Sequence, residues 1–184
     1  MKSDCRSCVV FAVVFCATRA FAGSLSLDAH EIGTKDSFQS YWEDWGGSYD
    51  RDYARGKRVL VTVRDFSRKV PQCDVTVYFV AHPVFDPQHR FIYDRKEFPV
   101  RFRGRLEASG PVSASDLHAR IVNIVGFARY GRGAEMDGWI VIGEVNGQVF
   151  DVKASGPTLL EIAKSPALRE LERDYYEAVD TGRH

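Results

Sequence analysis

Residues 41–53, YWEDWGGSYDRDY, hold the densest mixture of rings and carboxylates in the chain: Tyr41, Trp42, Trp45, Tyr49 and Tyr53 lie among Glu43, Asp44, Asp50 and Asp52. Rings that show a face to solvent stack on sugar rings, and carboxylates accept hydrogen bonds from sugar hydroxyls. Tyr41, Trp42, Trp45, Tyr49, Asp50 and Asp52 are therefore the candidate ligand-binding set of a carbohydrate-binding module, displayed on a loop over 41–53, with a glycan as candidate ligand. The competing expectation is packing. Trp and Tyr cover large apolar areas while keeping a polar tip, which suits the end of a core, and Gly46-Gly47 would supply the turn between two packed halves. Packing is the commoner fate of such rings. Calcium at Asp44, Asp50 and Asp52 would need six to eight oxygens, and the EF-hand spacing is absent.

AHPVFDPQHRFIYD (81–94) carries His82, Asp86, His89 and Asp94. Two histidines and a carboxylate can hold zinc, so His82, Asp86 and His89 are the metal candidates of a metal-dependent hydrolase. No HExxH or other ligand pattern is present, and surface histidines flanking a strand are the expectation, with no metal or cofactor. Arg101, Arg103 and Arg105, with Arg95 and Lys96 nearby, form a basic stripe suited to an anionic polymer or to lipid head groups. The same alternation marks a solvated strand face or an edge guarded against aggregation. YGRGAEMDGW (130–139) follows no phosphate-loop pattern and reads as a flexible loop joining two strands. No GxSxG elbow occurs. Cys73 lacks a neighbouring base and reads as a small buried hydrophobe. No catalytic residue stands out, and the expectation is a protein that is not an enzyme.

The elements that must position these residues are mostly strands. In KRVLVTVRDFS (57–67), Val59, Val61 and Val63 alternate with Leu60, Thr62 and Arg64, the period of a strand with one buried face. SRKVPQ (67–72) is a turn. CDVTVYFVAHP (73–83) alternates again and pairs with its predecessor. A short strand at 90–95 and a strand over 98–109 follow, the second with Val100, Phe102 and Leu106 on one face and the arginines on the other. Residues 119–131 give another strand, and 24–32 a first one. Within 138–155, Asn146-Gly147 is the preferred pair for a type I′ hairpin, where both residues need positive φ. The end changes period: Leu160, Leu168, Leu171, Tyr175 and Val179 recur at helical spacing, with a break at Ser165-Pro166. Pro157 and Pro166 suit first turns, and Ser165 can cap the second helix.

Many short strands without interleaved helices predict an antiparallel, immunoglobulin-like β-sandwich of about six to eight strands with a C-terminal helical segment. The predicted division is a signal peptide over 1–22, a sandwich over 23–156 and a helical tail over 157–184. Lys2 and Arg6 precede an apolar run over 8–17, and Ala20-Phe21-Ala22 places small residues at the −3 and −1 positions of a cut before Gly23. That implies secretion or a periplasmic location, with no transmembrane segment once the leader is removed. Cleavage takes away Cys5, Cys8 and Cys16, so Cys73 has no internal disulfide partner. The whole chain holds 25 basic and 25 acidic residues; without Lys2, Arg6, Arg19 and Asp4 it holds 22 and 24, a formal charge of −2. Such balance argues against nucleic acid as a partner.

The run VLVTVRDFSRKVPQCDVTVYFVAHP, followed by GWIVIGEVNGQVFDVKASGPTLLEIA, resembles small exported bacterial proteins with an immunoglobulin-like or fibronectin type III-like sandwich. In those, a strand ends in a polar residue and a serine, a proline-containing turn follows, and the next strand ends in an aromatic pair. Here these are Asp65 and Ser67, Pro71, and Tyr78-Phe79, with Asp65 where such proteins often have asparagine. The likeness covers about residues 57–163 and implies fold and export, not an activity. The function expected is that of a non-catalytic binding or structural module of the bacterial cell envelope, with an envelope protein or a glycan as partner.

Overall fold

The computed structural model describes residues 24–43, 48–124 and 128–180; within these, 34–53, 55, 120–131 and 177–180 are described by backbone alone. Eight strands run antiparallel: β1 (Leu25–Glu43), β2 (Ser48–Asp65), β3 (Gln72–Pro83), β4 (Phe91–Arg101), β5 (Glu107–Ser113), β6 (Leu117–Ile124), β7 (Ala128–Val145) and β8 (Gln148–Ala154). Two helices close the described chain, α1 (Pro157–Ala163) and α2 (Ala167–Asp180). The protein is mainly β, an antiparallel sandwich with a C-terminal helical segment, as the alternation requires.

The strands form one continuous sheet folded over on itself, in the order β1-β2-β6-β7-β3-β4, with β5 also on β2 and β8 also on β7. Two long strands make the fold-over possible. The second half of β2 pairs with β5 and its first half with β6. The first part of β7 pairs with β6 and the remainder with β3. One layer is thus β1, β2 and β5, and the other is β8, β7, β3 and β4. Beyond them, residues 33–43, 48–56, 117–124 and 128–133 continue as a four-stranded extension.

The side-chain period of two decides what each layer buries. Val59, Val61 and Val63 of the first layer meet Val75, Val77, Phe79, Trp139 and Val141 of the second, all buried. The second layer is apolar on both faces, which is why β3 reads as a nearly continuous hydrophobic run. Its outer residues Tyr78, Val80, Ile140 and Ile142 pack against Leu159 of α1 and Leu168 of α2. The Tyr78 hydroxyl donates to Glu172 of α2, and Arg95 of β4 lies 5.8 Å from the ring centroids of both Tyr78 and Tyr176. The helices therefore cover a second core. Pro157 begins α1, and the Ser165 hydroxyl accepts the Ala167 N–H at 3.2 Å to start α2. Asn146 (φ 52°) and Gly147 (φ 74°) make the hairpin turn. Gly143 has a packing reason: a Cβ there would come within 2.4 Å of the Phe150 ring.

Four expectations change. The strands at 57–67 and 73–83 do not pair: β2 lies beside β1, β5 and β6, and β3 lies between β4 and β7, because the turn at 66–71 carries the chain from one layer to the other. Residues 41–53 are not a loop: β1 runs to Glu43 and β2 starts at Ser48, so most of the stretch belongs to paired strands. Residues 130–139 lie inside β7, because β6 and β3 supply partners for the backbone of that glycine-rich segment on either edge. The strand predicted over 98–109 is interrupted. Strand β4 ends at Arg101, and Arg103 (φ 46°) and Gly104 (φ 77°) are two successive left-handed residues, which turn the chain out of the extended ladder.

Candidate functional site

The interruption in 98–109 builds the most distinctive surface of the molecule. Strands β4 and β5 are edge strands of opposite layers, and residues 102–106 carry the chain from one to the other. Phe102 is buried as the plug of this corner, and its N–H donates to the Pro71 carbonyl at 3.2 Å. The Arg105 N–H donates to the Phe102 carbonyl at 2.8 Å, closing a tight turn. Arg101, Arg103 and Arg105 are thus not a flat stripe. They surround an open hollow of about 730 Å³, together with Pro99, Phe102, Ser109 and one acid, Glu107, which is paired with Arg64.

The neighbouring turn between β2 and β3 is held by Asp65, whose side chain is wholly buried. One carboxylate oxygen accepts the Ser67 N–H at 3.0 Å and the Ser67 hydroxyl at 2.6 Å; the other accepts the Val70 N–H at 2.8 Å. Burial pushes this carboxyl up. The bonds from the Ser67 hydroxyl and from the Val70, Ser67 and Arg68 N–H groups outweigh it, so the group titrates below its ordinary range. This anchor holds Arg68 left-handed, with Arg68, Lys69 and Phe66 outward. The turns are stitched together, since the Asp65 N–H donates to the Leu106 carbonyl at 2.8 Å and the Phe66 N–H to the Ser24 carbonyl at 2.8 Å.

Charges at this end are unequally matched. Arg64 binds Glu107 at 2.7 Å, and Arg101 donates to Gln72 at 3.2 Å. Among the described residues, the exposed side chains of Arg68, Lys69, Arg103 and Arg105 have no ion pair or hydrogen bond. The adjacent acids Asp74 and Glu144 lie opposite each other on the helix-bearing face of β3 and β7. Unpaired guanidinium groups around a hollow suit an anionic group that can accept from their planar forks.

The candidate metal set His82, Asp86 and His89 is not brought together. His82 lies on β3, and its Nδ1 is 2.7 Å from an Asp137 oxygen. The other Asp137 oxygen accepts from Arg90 Nε at 2.6 Å. Asp86 and His89 are exposed in the turn before β4, joined only by a backbone bond of 3.2 Å. Among the described residues no three His, Cys, Asp or Glu side chains form a metal-holding group. Asp94 is buried and serves structure, accepting the Ser115 N–H at 2.6 Å and pairing with Lys96 at 2.9 Å. Cys73 is buried and its thiol is pushed up to about 11, by burial first and then by the charges of Asp74 and Asp65. A thiol so protonated is a poor nucleophile.

Of the candidate glycan set, Trp45 lies outside the described residues. For Tyr41, Trp42, Tyr49, Asp50 and Asp52 the backbone register is fixed: Trp42 lies opposite Tyr49, and Tyr41 opposite Asp50. The sequence reading missed Phe66, Arg68 and Lys69 as surface groups, and Asp137 as the partner of His82. One signal was available for the corner: Gly104 within RFRGRLE breaks the alternation that a strand needs.

No family model matches the chain, and no curated protein matches it. A crystal structure from Akkermansia muciniphila is 12% identical, with 72% of each chain covered and a TM-score of 0.26. An X-ray structure of a Northeast Structural Genomics Consortium target is 7% identical, covers 64% of this chain and 86% of its own, and has a TM-score of 0.15. Likenesses this loose carry no argument about fold or function. Among the described residues, no helix is long and apolar enough to cross a membrane.

Proposed function

We propose that the protein is an exported, non-catalytic immunoglobulin-like sandwich of the bacterial cell envelope that works by recognition, through the basic corner between β4 and β5. The observation that supports this most is a contrast. Among the described residues, the two buried carboxylates, Asp65 and Asp94, are engaged in structural bonds, while Arg103 and Arg105 stand without an ion pair beside an open hollow. Groups committed to holding turns have no proton to exchange with a substrate, whereas unpaired arginines retain their capacity to bind. The leader over 1–22 supports export.

The test is expression of the whole chain in a bacterium with an envelope. The expected product lies in the extracytoplasmic fraction, begins at Gly23, and stays with the envelope until salt releases it. A variant with Arg101, Arg103 and Arg105 all changed to Ala is expected in the soluble extracytoplasmic fraction. Cytosolic protein with Met1 intact overturns the export reading. A glycan that quenches fluorescence through Trp42, with the arginine variant unaffected, moves recognition to the β1–β2 hairpin.

A further inference from the structure

The same end of the sandwich gathers apolar side chains where water should favour polar ones. Phe66 is 65% exposed, Leu106 43% and Val149 54%, three of the six large hydrophobic residues exposed among the described residues. All three sit at one pole: Phe66 in the β2–β3 turn, Leu106 in the β4–β5 turn and Val149 beside the Asn146-Gly147 hairpin. The cations Arg68, Lys69, Arg103 and Arg105 lie in the same turns. Ser24, where the described chain begins, is bonded to Phe66 at this pole.

From this we propose that the pole is a membrane-docking surface: Phe66, Leu106 and Val149 enter the interface of a bilayer while Arg68, Lys69, Arg103 and Arg105 bind its anionic phosphate head groups. The proposal rests on the recognition reading above and names its partner. Apolar tips ringed by cations match the layering of a bilayer, where phosphate lies above the acyl region. A soluble polyanion would satisfy the arginines and leave the apolar tips in water. A second copy of the chain would cover the tips but bring like charges together, which is costly across an interface. Neither the apolar tips nor the basic cluster suffices alone, since stable yet reversible attachment takes both signals.

Flotation of the mature chain (residues 23–184) with vesicles tests the proposal. Vesicles of phosphatidylcholine with phosphatidylglycerol are expected to carry the protein about tenfold better than phosphatidylcholine alone, and less well as salt rises. Arg103→Glu with Arg105→Glu should lower that binding about tenfold with the melting temperature kept. Arg68→Gln with Lys69→Gln should lower it by a smaller factor, and serves if the first variant does not fold. Phe66→Ser with Leu106→Ser should remove the fraction that survives high salt. Equal flotation with both vesicle types overturns the proposal. So does binding to a sulfated polysaccharide that matches vesicle binding and ignores Phe66→Ser, or a dimer in sedimentation that Phe66→Ser abolishes. Exported protein that ignores both vesicle types sinks the lipid assignment and leaves recognition by the corner standing.

Discussion

The two ends of β3 treat charge in opposite ways. Near Pro83, Asp137 bridges His82 and Arg90 with one carboxylate oxygen for each. Near Gln72, the side chains of Arg68, Lys69, Arg103 and Arg105 make no ion pair or hydrogen bond among the described residues, although Asp74, Glu107 and Glu144 lie at the same end. Residue types are similar at both ends, so the difference lies in the backbone. At the first end the β3–β7 register slips: Val80 pairs with Gly138 and Ala81 with Met136, leaving Asp137 as the extra residue of a β-bulge. A bulge re-aims its side chain, and here it sets a carboxylate between the His82 imidazole and the Arg90 guanidinium. Gly138 permits this close packing, since a Cβ there would lie 1.9 Å from the Ser155 hydroxyl oxygen. At the other end two successive left-handed residues carry Arg103 off the sheet, away from the strand neighbours that could pair with it. Paired charge is part of the fold; unpaired charge is what the fold leaves for something else.

The largest expected effect breaks the frame of the basic end. Asp65→Ala removes the acceptor of three described hydrogen bonds in a fully buried position, and should cost about 3 kcal/mol in urea unfolding. A loss well below about 1 kcal/mol in this variant would show that the turn closes without its carboxylate. The same residue sets a pH dependence. Its folded carboxyl titrates below the ordinary value, so its stabilisation is present above about pH 4 and is lost as pH falls through the lower folded value. Asp65→Ala should flatten that acid limb. A weaker effect is expected at the closed end. Asp137→Ala strips His82 and Arg90 of their shared acceptor, but these groups are partly solvated, and the cost should be about 1 kcal/mol, read by the same unfolding curves. The smallest effect sharpens the contrast. Arg103→Ala with Arg105→Ala should leave stability within about 0.5 kcal/mol of wild type. A large loss there would mean that these arginines serve the fold after all.

Much of the fold was legible because alternation acts locally. Val59, Val61 and Val63 announce a buried strand face whatever lies opposite, and Leu168 and Leu171 announce a helix face. Asn146-Gly147 specified its turn through backbone sterics alone. The basic corner was half legible. Arg101, Arg103 and Arg105 were visible as a group, but their arrangement depends on Phe102 finding Pro71, a contact across 31 residues of sequence (102 less 71). His82 was visible too, but Asp137 lies 55 residues away and reaches it only through a register slip.

The amino-acid order by itself determined the strand and helix periods, the hairpin at Asn146-Gly147 and the break at Ser165-Pro166, since each depends on near neighbours in the chain. Tertiary structure alone decided that β2 and β7 serve both halves of a folded-over sheet, that Asp65 disappears into a turn, and that Arg68, Lys69, Arg103 and Arg105 gather with Phe66, Leu106 and Val149 at one pole. Those outcomes depend on which distant segments meet. Local sterics and periodicity set the shape of each segment, and long-range pairing sets which surfaces remain uncovered.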